Sequence, residues 1–207
     1  MQIFDEVNNL NFKKRGIPFE EYFKLMEIPE EDKRKRIEVA RKLKDAIDFL
    51  FYLILFYDSV DLINTDSIKN QFMDRYIQAI IDYVVIDEYI RQHIEDMTDD
   101  IISSTIDNID NAWYTSEDRS IFDAENESNV VLNYEELQEA ITMGKTHKTW
   151  HTMQDRRVRH THRYVDGKRI KIEEMFDIGN CQMMMPKDYE NGTDEECVNC
   201  RCSLSYS

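Results

Sequence analysis

The chain has 207 residues, 42% of them hydrophobic and 11% aromatic, which is enough for a packed core and excludes disorder as the main state. Lys and Arg total 26 against 42 Asp and Glu, and the net charge of −16 excludes generic coating of DNA. The longest apolar run, 49–57, is about half as long as a bilayer-spanning helix. Residues 1–11 lack the basic start and apolar core of a secretory signal. We therefore expect a soluble, intracellular protein.

Composition divides the chain near Gly144. Residues 1–143 hold 15 Lys and Arg against 32 Asp and Glu, a net charge of −17, whereas residues 144–207 have a net charge of +1. All four Cys and four of the five His lie in the second part, and residues 145–171 carry nine Lys and Arg against two Asp. The acidity therefore belongs to the first part, and the candidate chemistry belongs to the second.

The hydrophobic pattern of residues 1–143 predicts helices almost throughout. One apolar stripe at three- and four-residue steps runs over 37–55, and another runs over 68–97 after a capping cluster at 65–67. A shorter helix is predicted over 102–113, and a long one begins at Thr115 with a capping-box pattern. These stripes are typical of the core of a helix bundle.

The pattern changes in the second part. Residues 148–152 and 169–172 alternate as strands do, and a short helix is predicted over 155–164. Turn pairs stand at 166–167 and 191–192. Helices followed by small pieces of sheet predict an α+β fold, with a mainly helical N-terminal region and a small α+β C-terminal module.

The second part also carries an ordered series of spaced landmarks. These are Trp150, Asp155, Arg157, Arg159, His162, Asp166, Gly167, Asn199, Cys200, Arg201 and Cys202. The same series includes Lys148, Phe176 and Pro186, and the helix before it contributes Arg119, Ala124, Glu125, Asn129 and Gly144. Over about residues 115–207 the chain resembles the Mu protein F-like family of phage minor head, or head morphogenesis, proteins. It departs from the family at Cys197, where an apolar residue is usual, at Cys181, which lies outside the landmarks, and at Met175, where Pro is frequent.

The resemblance implies an organisation and a function. Residues 1–114 form an acidic helical region, and residues 115–207 form the head morphogenesis module, a long helix followed by a small α+β part from about residue 144. The implied protein is a minor head or capsid protein that acts near the portal vertex and contacts or accompanies packaged DNA. Its implied partners are the portal protein and the scaffold or major capsid protein. It would be found in the host cytoplasm during assembly and then in the virion, in the capsid interior or at the portal vertex.

Cysteine and histidine spacing in the module leaves two interpretations open. Cys197, Cys200 and Cys202, with His160 and His162 upstream, supply the soft ligands that Zn²⁺ prefers. The first candidates for a zinc site are His162, Cys200 and Cys202, with Cys197 or Cys181 as the fourth ligand. Alternatively, the thiols are reduced and partly buried beside a hydrogen-bonded His162, because a chain of this size does not need a metal to fold. A disulfide is disfavoured in a reducing cytoplasm. No cofactor is therefore certain, and a structural zinc is one of the two possibilities.

Basic residues of the module also allow two interpretations. Arg156, Arg159, Arg163 and Lys168 are candidates for contact with DNA phosphates. Equally, they can pair with the acidic first part and fold one half of the chain onto the other. The resemblance favours a weak, salt-sensitive contact with DNA.

An enzyme is not expected, because no phosphate loop, nucleophile elbow, zinc-protease motif or dinucleotide fingerprint occurs. The alternatives that stay open are a metal-dependent nuclease, a toxin-associated module that shares the C-terminal motif, and a soluble regulator. For the head protein, the acidic region is expected to dock on the portal, with Phe51, Tyr52 and Phe56 as candidate apolar anchors.

Overall fold

The computed structural model describes residues 19–60 and 62–207. Residues 1–11, on which the expectation about a secretory signal depends, lie outside the described residues. Helices account for 59% of the structure, and the strands are confined to its C-terminal end, which confirms the predicted α+β class. None of the described helices is both long and apolar enough to cross a membrane.

In the first part, the described residues form five α-helices and a short 3-10 helix. They are α1 Phe19–Phe23, α2 Glu30–Ser59, α3 Thr65–Ile80, α4 Glu88–Asp107, the 3-10 turn Ala112–Thr115 and α5 Glu117–Thr142. Three acidic residues occupy the first turn of α2, where negative charge stabilises the positive end of the helix dipole. The predicted stripes of α2 and α3 face the core, although Leu55 is 38% exposed.

Helix boundaries differ from the sequence prediction at three places. The stripe over 68–97 is interrupted, because Asp87 accepts a hydrogen bond from the Ile90 amide and begins a new helix, α4. The helix predicted over 102–113 is the end of α4 followed by the 3-10 turn. The cap of α5 is Ser116 rather than Thr115, since Ser116 Oγ accepts from the Arg119 amide at 3.2 Å.

The C-terminal part contains two small antiparallel sheets. Its elements are β1 His147–His151, α6 His160–Val165, β2 Arg169–Lys171, β3 Phe176–Ile178, β4 Cys181–Met183, α7 Asp194–Cys197 and β5 Ser203–Tyr206. Strand β1 lies between β2 and β5, with Trp150 opposite Leu204, and β3 pairs with β4. The prediction of a helix over 155–164 is wrong at its start, because Asp155 Oδ1 accepts from the Arg157 amide at 2.9 Å and closes a turn. The helix begins only at His160.

Within the described part of the chain, two hydrophobic clusters form the interior, and α5 contributes to both. The larger cluster lies among α1 to α5 and includes Ala124, Val131 and Leu132 of α5. The smaller cluster lies between the C-terminal end of α5, through Leu137 and Ala140, and the strands. The division into residues 1–114 and 115–207 stays a prediction, and α5 is the element that joins the packing on either side of it.

Candidate metal centre

Two distant landmarks meet in one ion pair. Arg201 donates from both terminal nitrogens to the carboxylate of Asp155, at 2.8 and 2.9 Å. These hydrogen bonds lower the pKa of the Asp155 carboxyl. The pair fastens the segment before β5 to the turn after β1, so that residues far apart in sequence hold the same corner of the module.

Asp166 and Gly167 follow α6, and both form hydrogen bonds with residues at the end of β1. Asp166 Oδ1 accepts from the Thr152 amide at 2.7 Å, and the Gly167 amide donates to the Trp150 carbonyl at 2.8 Å. Gly167 has a φ of +72°, a left-handed conformation that glycine adopts without steric cost. Asp166 and Gly167 therefore form a turn after α6 that is bound to the end of β1.

Asn199 and Arg159 position the loop that presents the cysteines. Asn199 lies in the left-handed region with a φ of +59°, which asparagine tolerates better than most residues. Its amide donates to Asn126 Oδ1 at 3.1 Å, which ties the loop to α5. Arg159 donates to the Val198 carbonyl and holds the same loop from the other side.

Trp150 fills the centre of the module. Its side chain is fully buried, and its ring meets Phe176 edge-on with centroids 5.1 Å apart. The His162 ring lies 5.7 Å away in a second edge-on contact. An aromatic wall therefore excludes water from one side of His162.

His162, Cys200 and Cys202 form a buried cluster. His162 Nδ1 lies 3.3 Å from Cys202 Sγ and 3.6 Å from Cys200 Sγ, and the three ligand atoms all lie within 4.8 Å of one another. Each of the three residues is at most 3% exposed. The structure thus brings together the three residues that the sequence analysis placed first in a zinc site.

The other ring nitrogen of His162 is held by an acid that the sequence analysis missed. Glu196 Oε2 lies 3.0 Å from His162 Nε2 and accepts from Thr161 Oγ1 at 2.8 Å. Gly179 leaves room for this carboxylate, since an added Cβ would lie 2.3 Å from Glu196 Oε1. The contact with Glu196 therefore orients the ring so that Nδ1 faces the two sulfur atoms.

Burial and the histidine act in opposite directions on Cys200. Burial alone raises the pKa of the Cys200 thiol, but hydrogen bonds from Cys202 and His162 outweigh it and lower that pKa. Burial alone lowers the pKa of His162, and the interaction with Cys200 raises it. These hydrogen bonds therefore favour the thiolate form of Cys200.

The remaining two cysteines lie outside this cluster. Cys197 Sγ donates to the Asp188 carbonyl at 3.4 Å, and Cys181 Sγ donates to the Ile178 carbonyl at 3.3 Å. Cys197 is buried, and Cys181 is half-buried in β4. A role for either of them as a metal ligand stays a prediction.

Two lysines of the module are buried, which the sequence analysis did not predict. Lys187 is fully buried and donates to Asn126 Oδ1, and burial lowers its pKa to about 8. Lys148 Nζ donates to the Met184 carbonyl at 2.8 Å, and burial lowers its pKa to about 8 as well. Lys148 was a landmark in the sequence, whereas no local pattern marks Lys187 as buried.

Basic candidates for DNA contact lie on the surface of the module. Arg156, Arg163 and Lys168 are exposed, and Arg159 is half-buried. Arg163 donates to the Asp155 carbonyl at 3.2 Å, so its contact, like that of Arg159, is within the C-terminal module. Contact with DNA stays a prediction.

The fold and the site define a class of protein: a mainly helical chain whose C-terminal α+β module is held by paired landmarks around a buried Cys/His cluster. The profile of the phage Mu protein F-like family matches residues 70–205, which is most of the chain, and begins upstream of the resemblance seen in the sequence. The chain belongs to this family. Membership indicates a phage head morphogenesis protein of a structural family and a place in the virion. No curated protein and no solved structure matches the chain significantly.

Proposed function

We propose that the protein is a minor head protein that binds the portal protein at the portal vertex during head assembly. The acidic helical region provides the binding surface, and the C-terminal module is its rigid support. The scaffold protein or the major capsid protein is a further proposed partner, because both are components of the assembling head. Family membership supports the role in the head, and the surface of α2 supports the mode of binding.

A patch of exposed apolar side chains on and after α2 is the observation that carries this proposal. We call it the α2 patch, and it consists of Tyr52, Leu55, Phe56, Val60, Leu62 and Ile63. Tyr52 is 55% exposed and Phe56 is 48% exposed, and their rings stack with centroids 6.2 Å apart. Phe51, the third predicted anchor, is only 3% exposed and belongs to the bundle core. Contiguous exposed apolar surface is typical of a protein interaction site.

Charge indicates the chemistry of the partner surface. Residues 1–143 carry a net charge of −17, so a basic surface on the portal attracts them and fixes their orientation. Aromatic side chains such as Tyr52 and Phe56 then supply the short-range part of the affinity. The partner surface is therefore expected to be a basic patch with an apolar pocket.

A pull-down of the full chain with the purified portal protein of the same phage tests the proposal. We expect binding at about 0.1 M salt that weakens by about 1 M, because the screening length falls from about 10 Å to about 3 Å. The double variant Tyr52→Ser, Phe56→Ser should bind at least about tenfold more weakly, since an aromatic hot spot contributes about 2 kcal/mol or more.

Tyr164→Ser is the matched control, because Tyr164 is 78% exposed and lies in the C-terminal module. This control should bind as the wild type does. Absence of binding at low salt, or full binding by the double variant, would contradict the assignment of the α2 patch.

Packaged DNA is the second contact in this proposal, supported by the exposed basic side chains of the C-terminal module. Filter binding of the full chain to double-stranded DNA should show weak, salt-dependent affinity. Replacing Arg156 and Lys168 by Gln should lower the affinity and reduce the slope of log K against log salt by about 2. The control pair Arg34→Gln, Arg91→Gln alters exposed cations of the acidic region. An equal loss in both pairs would mean that net charge, rather than this surface, controls binding.

We also propose that the protein is not an enzyme. Cys200, His162 and Glu196 form the hydrogen-bonded chain that a thiol nucleophile, a base and an orienting acid would need. However, these three residues are only 2%, 2% and 5% exposed, so a substrate has no access to the sulfur. Their arrangement suits a structural role better than catalysis.

A further inference from the structure

We propose that His162, Cys200 and Cys202 bind one Zn²⁺ ion, which joins α6 to the segment before β5. The ligand atoms are His162 Nδ1 and the two Sγ atoms, which lie within 4.8 Å of one another in the interior of the module. An imidazole with two thiolates is a soft donor set that selects zinc over Mg²⁺ or Ca²⁺, which prefer oxygen ligands. Three protein ligands would leave one position of a tetrahedral shell for a water molecule.

The hydrogen bonds around the histidine have the arrangement of a zinc ligand. Glu196 lies 3.0 Å from Nε2, on the side of the ring away from the sulfur atoms. Histidines that bind zinc commonly donate their other N–H to a carboxylate, which fixes the tautomer and the ring orientation. Thr161 Oγ1 donates to the same carboxylate at 2.8 Å and holds it in place.

Separate contacts preorganise the two sulfur atoms. The Arg201–Asp155 pair anchors the residue between Cys200 and Cys202, with nitrogen–oxygen distances of 2.8 and 2.9 Å. The Cys200 amide donates to the Cys197 carbonyl at 3.1 Å, which closes the turn before it. Both cysteines are therefore held toward one point without any ion.

The distances within the cluster suit a single bound ion. His162 Nδ1 lies 3.3 Å from Cys202 Sγ and 3.6 Å from Cys200 Sγ. In the protein without metal these atoms hydrogen-bond to one another. A zinc ion would replace those contacts with bonds from all three atoms to one centre.

Metal analysis of the full chain tests the proposal. The protein is purified without a histidine tag under reducing conditions, reconstituted with Zn²⁺, dialysed and analysed by mass spectrometry of the metal. We expect about one zinc per chain, because a buried site with three protein ligands should be nearly full. Less than about a tenth of an equivalent in the wild type would overturn the proposal.

Serine variants locate the ion and separate zinc loss from unfolding. Cys200→Ser with Cys202→Ser should lose the zinc, whereas the matched control Cys181→Ser, in β4, should keep it. Zinc retained at full stoichiometry by the double variant would place the ion elsewhere and overturn the assignment. Chelation should also lower the melting temperature of the wild type by more than about 5 °C.

Cobalt provides a readout that does not depend on the variants. The wild type loaded with Co²⁺ should show the near-ultraviolet charge-transfer band of thiolate ligands and the intense visible bands of a tetrahedral site. Cys181→Ser should give the same spectrum. A cobalt spectrum without thiolate charge transfer would contradict the two cysteine ligands even if metal were present.

Discussion

Replacing Trp150 by Ala should lower the free energy of unfolding of the C-terminal module by about 3–5 kcal/mol. The side chain is fully buried between Phe176 and His162, and removal of the indole leaves a cavity that the flanking strands cannot fill. Trp150 also lies in the central strand β1, so its backbone cannot move freely toward the cavity. Urea denaturation followed by far-ultraviolet circular dichroism measures the loss.

The control for this prediction is Tyr164→Ala. Tyr164 is an aromatic residue of the same module but is 78% exposed, so the change should cost less than about 0.5 kcal/mol. Trp150→Phe should fall between the two because it leaves a smaller cavity. An unchanged denaturation midpoint for Trp150→Ala would show that Trp150 does not support the core.

Replacing Arg36 by Ala should destabilise the protein by about 3–5 kcal/mol, because it removes the fully buried partner of an ion pair and leaves a largely buried carboxylate unpaired. Arg36 of α2 is fully buried and donates to the carboxylate of Glu136 in α5, with an Nη2–Oε2 distance of 2.9 Å. It also donates to Asn133 Oδ1 at 2.8 Å and Asn129 Oδ1 at 3.2 Å. The variant leaves all three acceptors without this guanidinium.

A surface cation provides the comparison for Arg36. Lys69→Ala removes ion pairs with Glu95 at 3.0 Å and Asp99 at 2.8 Å, but both acids are about half exposed. Exposed pairs contribute little, so this variant should lose less than about 1 kcal/mol. Equal losses for Lys69→Ala and Arg36→Ala would contradict a special role for the buried network.

A double-mutant cycle of Arg36→Ala with Glu136→Ala isolates the pair itself. We expect a coupling free energy of at least about 1 kcal/mol, because the two residues share one hydrogen-bond network. Coupling near zero would mean that Arg36 acts through packing alone. Because the pair joins α2 to α5, the cycle also measures how strongly residues on either side of the predicted boundary at 114 depend on each other.

Local sequence patterns predicted an element well where the periodicity of its own apolar residues is enough to define it. Apolar steps of three and four placed α2, and Leu43, Ile47 and Ile54 of its stripe are fully buried. Alternation placed β1, which spans His147–His151. Errors occurred where a polar side chain decided a boundary: Asp87 begins α4 inside a continuous stripe, and Asp155 closes a turn where a helix was expected.

The residues of the candidate metal centre show the same distinction. Sequence analysis selected Cys200 and Cys202 from one compact motif and added His162 from the same landmark series, with Cys197 or Cys181 as a fourth ligand. It contained no signal to select Glu196, which is one of ten acids in residues 144–207. Which sulfur faces His162 depends on the turn at Asn199, and that turn depends on a contact with Asn126 of α5.

By itself, the sequence determined the α+β class, the long helices, two of the five described strands, the landmark series and the charge division, since each of these is a property of neighbouring residues or of composition. Only the tertiary structure decided that Phe51 is core while Tyr52 and Phe56 are exposed, and which polar residues pair. Arg36 and Glu136 are 100 residues apart, and His162 and Cys202 are 40 apart. Such pairs form because buried polar groups require partners, and the packing of distant helices and strands determines which partners are within reach.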